Sequence, residues 1–343
     1  MANIYFKEIN SINDEELISK YSKELIETLI KKEKIKLEKE IPLKVHFGEK
    51  GNKTFIKPTC FNGIIELLNE KKIKSSYIET NVLYRGERTR KKDHIKLAKK
   101  HGFNNLSIII ADGEHGEDYV DIKIDKKHFK TCKIGKEFER YSQFIVISHF
   151  KGHILAGFGG AIKQLAMGFA SRGGKLNQHS SSIPFINPLK CNKCKICVKN
   201  CKYDAIKINR IFPRIVKNKC VGCASCIAVC PYGAVKINWT SSISQNFYEK
   251  IAEYAFAAQK NKNNIYINYA LNITKQCDCV GREMKPFVKD LGIFVSTDPV
   301  AIDNACIEML KNRENKKLFK GLHTIKYSQE INLGNKEYKL IKL

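Results

Sequence analysis

The stretch QFIVISHFKGHILAGFGGAIKQLAMGFA, residues 143–170, decides the fold class of this chain. An apolar strand is predicted over residues 143–148, a glycine-rich turn follows it, and a helix is predicted over residues 160–170. The same alternation precedes this stretch, with strands predicted at residues 42–47, 76–80 and 106–111 and helices at residues 14–35, 58–70 and 91–101. Strands that alternate with helices favour an α/β fold with a doubly wound, mainly parallel sheet.

The alternation breaks at about Ile186 and resumes after about Trp239. Downstream, helices are predicted over residues 248–258 and 299–310, and strands over residues 264–270 and 292–296. We therefore expect one α/β domain in two parts, residues 1–185 and 240–343, interrupted by an inserted domain at residues 186–239. A length of 343 residues is sufficient for such an organisation with a buried core.

The insert contains an internal duplication, in which the pattern C-x2-C-x2-C-x3-C occurs twice with an offset of 29 residues. Three cysteines at this spacing suit one iron–sulfur cluster, while the fourth cysteine of each half points to the other half. The first predicted ligand set is Cys191, Cys194, Cys197 and Cys230, and the second is Cys220, Cys223, Cys226 and Cys201. The alternative is two zinc sites, although zinc sites usually place their cysteines in separated pairs.

Over its whole length the insert resembles the two-cluster bacterial ferredoxins, which implies an inserted α+β ferredoxin-like domain with two 4Fe-4S clusters. The insert departs from that pattern at Lys202, because only the second half has a proline, Pro231, after its last cysteine. All eight ligands are present, so no iron is left open for a substrate. One-electron transfer is the predicted use of the clusters, and a purely structural use is the alternative.

Positive charge is concentrated in the insert. The whole chain has a net charge of +26, and residues 186–239 hold 11 basic residues against one acidic residue, a net +10. Two oxidised clusters with their thiolates carry only about −4, so the insert stays positive. We expect it to dock with an acidic redox partner such as a ferredoxin or flavodoxin. Nucleic acid is disfavoured, because the insert lacks the interleaved aromatic residues of single-strand platforms.

The sequence also bears on localisation. Its longest apolar runs fall far short of the roughly 20 residues that a membrane span requires, and MANIYFKEIN at the N-terminus has no signal-peptide core. A cytoplasmic protein without a membrane span is expected. In a reducing compartment, 13 cysteines favour metal ligands over disulfides.

A second candidate site lies in the loop after the strand at residues 143–148. Its titratable side chains are His149, His153, Lys163, Lys175 and His179, and its glycines include Gly157, Gly159 and Gly160. Ligands of open α/β sheets bind beyond the carboxyl ends of strands, where glycine-rich turns expose N–H groups at a helix start. The loop therefore predicts a site for a ligand, cofactor or metal. The alternative is a tight turn with solvated lysines and satisfied histidines.

Six stretches of the sequence resemble the ferredoxin-bearing members of the domain-of-unknown-function family 362. They are HFGEKGN (46–52), YRGERT (84–89), ADGEHGED (111–118), SHFKGHILAGFGGAIKQLAMGFASRGGKLNQHS (148–180), CDC (277–279) and STDPVAID (296–303). With the insert, the resemblance spans nearly the whole chain from about Pro42. It implies the fold, but the chemistry of the family is not established.

A more distant similarity links residues 153–179 to the amino-terminal domain of the nickel-pincer lactate racemases. The positions that match their catalytic histidine, cofactor-bearing lysine and nickel-binding histidine are His153, Lys163 and His179. The similarity implies a further metal or nucleotide-derived cofactor. It also supports the alternative function, a non-redox enzyme or cofactor-binding protein with structural clusters, although a racemase gains nothing obvious from two clusters.

Other candidates lie at predicted strand ends, where active-site loops gather. Arg85 is a candidate for binding a carboxylate or phosphate of an unknown small-molecule substrate. Cys277 and Cys279 flank Asp278 just after a strand and are either metal ligands or free thiols, whereas Cys60 and Cys306 lie in apolar helical contexts. The favoured function is iron–sulfur electron transfer, from the basic insert to a substrate, cofactor or metal held in the α/β domain.

Overall fold

The computed structural model describes residues 1–179, 183–208, 212–237 and 245–343. The strands are β1 (Ala2–Glu8), β2 (Leu43–Lys44), β3 (Tyr77–Glu79), β4 (Ile108–Ile110), β5 (Tyr119–Lys123), β6 (Thr131–Gly135), β7 (Ile145–His149), β8 (Lys151–His153), β9 (Gly157–Gly159), β10 (Phe185–Ile186), β11 (Ile206–Ile208), β12 (Pro213–Ile215), β13 (Val235–Lys236), β14 (Ile265–Ala270), β15 (Gly292–Ser296) and β16 (Tyr338–Lys342). The α-helices are α1 (Glu15–Lys32), α2 (Asn62–Glu70), α3 (Lys91–Lys100), α4 (Ala161–Phe169), α5 (Arg172–His179), α6 (Ile196–Lys199), α7 (Ser225–Val229), α8 (Gln245–Gln259), α9 (Pro299–Glu314) and α10 (His323–Glu330).

Eight of these strands form one sheet in the order β16-β1-β15-β14-β7-β2-β3-β4. Strand β15 runs antiparallel to β1 and β14, and the other neighbouring pairs of this sheet are parallel. The predicted α/β class with a mainly parallel sheet is therefore confirmed. The central pair, β7 and β14, joins the part of the chain before the insert to the part after it.

Hydrophobic cores cover both faces of the sheet, because side chains alternate between the faces along each strand. On β7, Val146 packs with α4, α8 and α9, whereas Ile145 and Ile147 pack with α1 and α2. Two-sided burial explains why residues 144–147, at the start of this strand, form an unbroken apolar run in the sequence. The sheet is thus wound with helices on both sides, as the sequence predicts.

Some elements escaped the sequence prediction. Strands β1 and β16 pair at one edge of the sheet, and β5 and β6 form a separate hairpin. The glycine-rich segment between β7 and α4 holds a further hairpin, β8 with β9, where only a turn was expected. The helix predicted at residues 160–170 is confirmed as α4.

The insert repeats its backbone geometry as it repeats its cysteines. Strand β10 pairs with β13 through Ile186 opposite Val235, and β11 pairs with β12 through Ile206 opposite Ile215. An offset of 29 residues converts one pair into the other. The left-handed residue before α6, Lys195 at φ 60°, likewise corresponds to Ala224 at φ 60° before α7. In each small sheet, the strand that precedes one set of four cysteines in the chain pairs with the strand that follows the other set. The duplication is therefore also visible in the structure.

Within the described ranges, no helix is both long enough and apolar enough to cross a membrane.

Candidate functional site

A cleft with a volume of about 390 Å³ lies beyond the carboxyl ends of β2, β3 and β14. This is the edge of an open α/β sheet at which ligands bind. His46 follows β2, Thr80 follows β3, and Cys277 and Cys279 lie in the segment after β14. The cleft also brings together four residues predicted from the glycine-rich loop, namely His153, Lys163, Lys175 and His179.

The guanidinium group in the cleft belongs to Arg88. Its side chain is only 1% exposed, with Nε 3.2 Å from Glu49 Oε2, Nη1 3.0 Å from His46 Nε2, and Nη2 bonded to the Tyr84 hydroxyl. Arg85, the sequence candidate, is exposed and does not line the cleft. Both arginines belong to the YRGERT stretch, and the sequence alone could not show which of them turns inward.

The two lysines reach the cleft from consecutive helices, Lys163 from α4 and Lys175 from α5. Lys175 Nζ donates to Thr80 Oγ1 at 2.5 Å and to the Ala170 carbonyl at 2.8 Å, and burial lowers the pKa of its ammonium to about 8. Burial alone would also lower the pKa of Lys163, but the charges of Cys277, Cys279 and Asp278 outweigh it and raise that pKa. Lys163 is therefore a fixed cation at the cleft wall.

The two histidines that the glycine-rich loop contributes to the cleft are held neutral. Burial lowers the pKa of both His153 and His179 to about 3, and His179 stacks on Phe247 with ring centroids 5.1 Å apart. His153 Nδ1 accepts hydrogen bonds from the backbone N–H groups of Leu155 and Ala156, at 3.2 and 2.9 Å. The neutral ring then carries its proton on Nε2, which suits a hydrogen-bond donor better than a metal ligand.

Metal coordination has no ready-made geometry in the cleft. Among the described residues, those of the insert included, no group of three or more His, Cys, Asp or Glu side chains is placed so that it could hold a single metal ion.

The glycines of the loop serve packing and capping. A side chain at Gly157 (φ +82°) would collide with the Lys320 backbone, and one at Gly160 would collide with the Asp303 carboxylate. Two of the N–H groups expected to face a ligand at this helix start are already bonded within the protein. Asp303 already accepts from Ala161 N–H at 2.7 Å and from Ile162 N–H at 2.9 Å.

The floor of the cleft is the CDC segment, which a buried ion-pair cluster fixes in place. Asp278 is 1% exposed, and its carboxylate lies 2.7 Å from Lys151 Nζ and 3.0 Å from His149 Nδ1. His149, predicted as a cofactor-binding residue, does not line this cleft, and its Nε2 lies 2.8 Å from the Leu271 carbonyl. Sequence reasoning missed Lys151, because its partner lies 127 positions away along the chain.

Cys277 and Cys279 differ in their protonation. The Cys279 side chain donates a hydrogen bond to Cys277, and the Lys163 and Lys151 ammonium groups add positive charge nearby. Together these effects outweigh burial and lower the pKa of Cys277 to about 6. The same hydrogen bond, together with burial, raises the pKa of Cys279. At neutral pH the pair is a Cys277 thiolate beside a Cys279 thiol, and thiolates are the nucleophilic form of cysteine.

We expect the alkylation of Cys277 by iodoacetamide to follow this pKa. The rate should rise as the pH increases through about 6, because the fraction of thiolate rises there. Replacing Lys163 with methionine removes a neighbouring cation and should move the midpoint to higher pH. Tandem mass spectrometry of the CDC peptide measures the rate at each cysteine. Lys316→Met, on the surface, is the control, and a wild-type midpoint near the ordinary thiol value of about 8.5 would contradict the expectation.

Two smaller cavities lie within the insert, and each is lined by four cysteines. Cys191, Cys194, Cys197 and Cys230 line the first, and Cys201, Cys220, Cys223 and Cys226 line the second. The backbone N–H groups of Ala205 and Ala234 lie 3.3 Å from Cys201 Sγ and Cys230 Sγ, as symmetry-related sulfur hydrogen bonds. The cavities group the cysteines in the same sets as the predicted ligand assignment, which stays a prediction for the clusters themselves.

Helix α5 separates the second cysteine cavity from the cleft. A side chain at Gly173 would meet Gly222 O at 2.9 Å and Cys223 Cα at 3.1 Å, so the insert packs directly on this helix. Lys175 and His179, on a different face of the same helix, line the cleft. Leu83 and Leu176 from the α/β domain share a small hydrophobic core with Ala224 and Ile237 of the insert. One helix thickness therefore lies between the two sites.

Comparison with known proteins gives a family match and two distant structural likenesses. A family model described as a domain of unknown function, DUF362, matches residues 41–308. The chain matches none of the curated proteins.

A crystal structure of a Thermotoga maritima protein is similar with a TM-score of 0.47 and 13% identity, over 90% of this chain and 61% of that one. The lactate racemase apoprotein of Thermoanaerobacterium thermosaccharolyticum has a TM-score of 0.40 and 15% identity, over 78% of this chain and 50% of that one. This chain thus spans less than two thirds of either structure, and both likenesses are too distant to bear on function.

Proposed function

We propose that this chain, which belongs to the DUF362 family, is an iron–sulfur protein that exchanges electrons with a group bound in the cleft. The region that matches the family model includes both the cleft and the insert. The observation that carries this proposal is the pair of four-cysteine cavities, one of which packs on a helix that lines the cleft. Four thiols per cavity, with N–H groups directed at sulfur, fit a 4Fe-4S cluster in each. Bound there, each cluster would supply one electron at a time.

The residues of the cleft suit a small organic anion as substrate. Arg88, Lys163 and Lys175 present cationic groups, and Val82, Leu155 and Met167 contribute apolar surface. Cationic side chains in a largely apolar pocket orient an anion and exclude much of its water. His153 adds a hydrogen-bond donor at Nε2. The positive charge of Lys163 helps to lower the pKa of the His153 ring.

Exposed residues of the insert suit an acidic redox partner. The exposed basic side chains there are Lys190, Lys193, Lys195, Lys199, Lys202, Lys207, Arg214, Lys217 and Lys219. Leu189 is 95% exposed beside them, next to the chain segment that enters the first cysteine cavity. A basic surface around an exposed apolar residue favours an acidic protein such as a ferredoxin or flavodoxin, because complementary charge steers the encounter.

The test of the proposal is a metal count on protein purified without oxygen. We expect about eight irons and about eight sulfides per chain, with visible absorbance that bleaches on reduction by dithionite and returns on reoxidation. Zinc bound in place of iron would overturn the proposal. Nickel bound to the protein, or an added mass on Lys163, would instead favour the alternative, a non-redox enzyme of the nickel-pincer type, for which the observation is that Lys163 and His179 share the cleft.

The acidic partner is tested by charge reversal. The variant Lys199→Glu/Lys202→Glu should be reduced several-fold more slowly by a reduced acidic ferredoxin at low salt, and the difference should shrink as salt screens the charges. Lys316→Glu/Lys317→Glu makes the same change in net charge on an exposed part of the α/β domain and serves as the control. Stopped-flow absorbance gives the rate. Equal rates for the two variants, or a rate that does not depend on salt, would contradict docking at the insert.

A further inference from the structure

The cysteines of the CDC segment differ from the other cysteines of the α/β domain. Cys60, Cys132 and Cys306 are buried among core side chains, and burial raises the pKa of each thiol. Cys277 and Cys279, in contrast, both line the cleft. A packing role accounts for the first three and leaves this pair unexplained.

Contacts of Asp278, the residue between the two cysteines, fix the geometry of the Cys277 and Cys279 pair. The ion pairs of Asp278 with Lys151 and His149 hold the residue between the two cysteines, and its carbonyl accepts a hydrogen bond from Glu49 N–H at 3.0 Å. Cys279 N–H lies 3.4 Å from Cys277 Sγ, and Cys279 Sγ lies 3.7 Å from His46 Nε2. Both sulfur atoms therefore face the same cavity at the ends of a rigid three-residue segment.

We propose that Cys277 and Cys279 form a redox-active dithiol–disulfide pair at the floor of the cleft, which exchanges two electrons with the group bound there. This inference rests on the proposed function. The disulfide requires a reductant, and low-potential iron–sulfur centres, which give one electron each, are the class of reductant that it requires. Two such centres supply the two electrons that one disulfide takes up.

The reduction of the pair balances in atoms, charge and electrons. Two electrons break the sulfur–sulfur bond, one proton enters from water in the open cleft, and the products are a Cys277 thiolate and a Cys279 thiol. In the opposite direction the sulfur–sulfur bond forms, the proton leaves, and two electrons return to the acceptor. Lys163 stabilises the thiolate product, since its ammonium faces both cysteines. A disulfide across one intervening residue is strained, and strained disulfides are the readily reduced ones.

The position of the pair suits this exchange. Helix α5 meets the second cysteine cavity through Gly173, and it lines the cleft through Lys175 and His179. Cys277 and Cys279 line the same cleft. Electrons that reach the second cysteine cavity thus have one helix to cross before they enter the cleft that Cys277 and Cys279 line.

The test is a redox titration of the holoprotein read by mass. Samples held at a series of potentials are quenched with N-ethylmaleimide in denaturant, and the CDC peptide is analysed. We expect this peptide to change from doubly alkylated to disulfide-bonded with the slope of a two-electron couple. Dithionite titration of the oxidised wild type should consume two more electrons than that of Cys277→Ser or Cys279→Ser. The control is Cys132→Ser, whose hydroxyl keeps a donor facing the Glu253 carbonyl, and it should match the wild type.

The outcomes separate this inference from the proposed function. If both thiols are alkylated at every potential while the visible absorbance still bleaches and returns, the dithiol pair is refuted and the electron-transfer function stands. Equal electron uptake by wild type and Cys277→Ser has the same meaning. If the protein holds no iron, the proposed function fails and the inference fails with it.

Discussion

The double variant Cys194→Ser/Cys230→Ser is expected to keep one of the two proposed clusters, whereas Cys194→Ser/Cys201→Ser is expected to lose both. Cys194 and Cys230 line the same cavity although they belong to different halves of the repeat, while Cys201 lines the other cavity. Iron analysis should therefore give about four atoms per chain for the first variant and almost none for the second, against about eight for the wild type.

These two variants are matched, since each replaces two cysteines with serine and both retain Cys191 and Cys197. If each half of the repeat held its own cluster, the results would be reversed, with iron retained by Cys194→Ser/Cys201→Ser. Far-UV circular dichroism of both variants checks that the α/β domain still folds. Electron paramagnetic resonance of the reduced protein gives a second readout, because a single remaining cluster has no partner spin with which to interact.

Replacing Asp278 with alanine should lower the free energy of unfolding by about 3–5 kcal/mol, because the substitution leaves the buried Lys151 ammonium without its partner carboxylate. The Asp278 carboxylate is 1% exposed and is the ion-pair partner of both Lys151 and His149. Its pKa lies well below the usual range, since the interactions of the carboxylate with Lys151 and His149 outweigh the effect of burial. Urea unfolding of anaerobic protein, followed by far-UV circular dichroism, measures the loss.

The control for this prediction is an ion pair on the surface. Glu283→Ala removes the partner of Lys53 at a distance of 3.1 Å, but both side chains are mostly exposed, so little change in stability is expected. A loss for Asp278→Ala no larger than that for Glu283→Ala would show that the buried cluster does not hold the CDC segment in place. Because depressed acid pKa values stabilise the fold only while the acid is ionised, the contribution of Asp278 should be present at neutral pH and disappear in strong acid.

The sequence was informative where function depends on local spacing. The two sets of cysteines follow from a short repeated pattern, and the strands of the sheet follow from apolar runs such as residues 144–147. It was less informative where partners lie far apart along the chain. Asp303 caps α4 from 142 residues away, and His149 pairs with Asp278 across 129 residues. Such pairings depend on the order of the strands, which a local pattern does not contain.

The sequence candidate was Arg85, whereas the arginine that lines the cleft is Arg88, and the difference has a related reason. Both residues lie in one irregular segment after β3, without the periodicity that assigns a face to a helix or strand. The inward arginine is selected by Glu49 and Tyr84, which bind its guanidinium. The acidic residue of the HFGEKGN stretch, Glu49, was the available signal, since an acid that becomes buried requires a cationic partner.

The crossed pairing within the insert has a consequence for synthesis on the ribosome. The set that includes Cys201 is complete once Cys226 has emerged, whereas the set that begins with Cys191 waits for Cys230. Both sets are complete before β14 and β15 exist, although these strands occupy the middle of the sheet. The proposed clusters could thus be loaded on a nascent chain while the α/β domain is still open, and the cleft is completed only later, because Cys277 and Cys279 follow β14 in the chain.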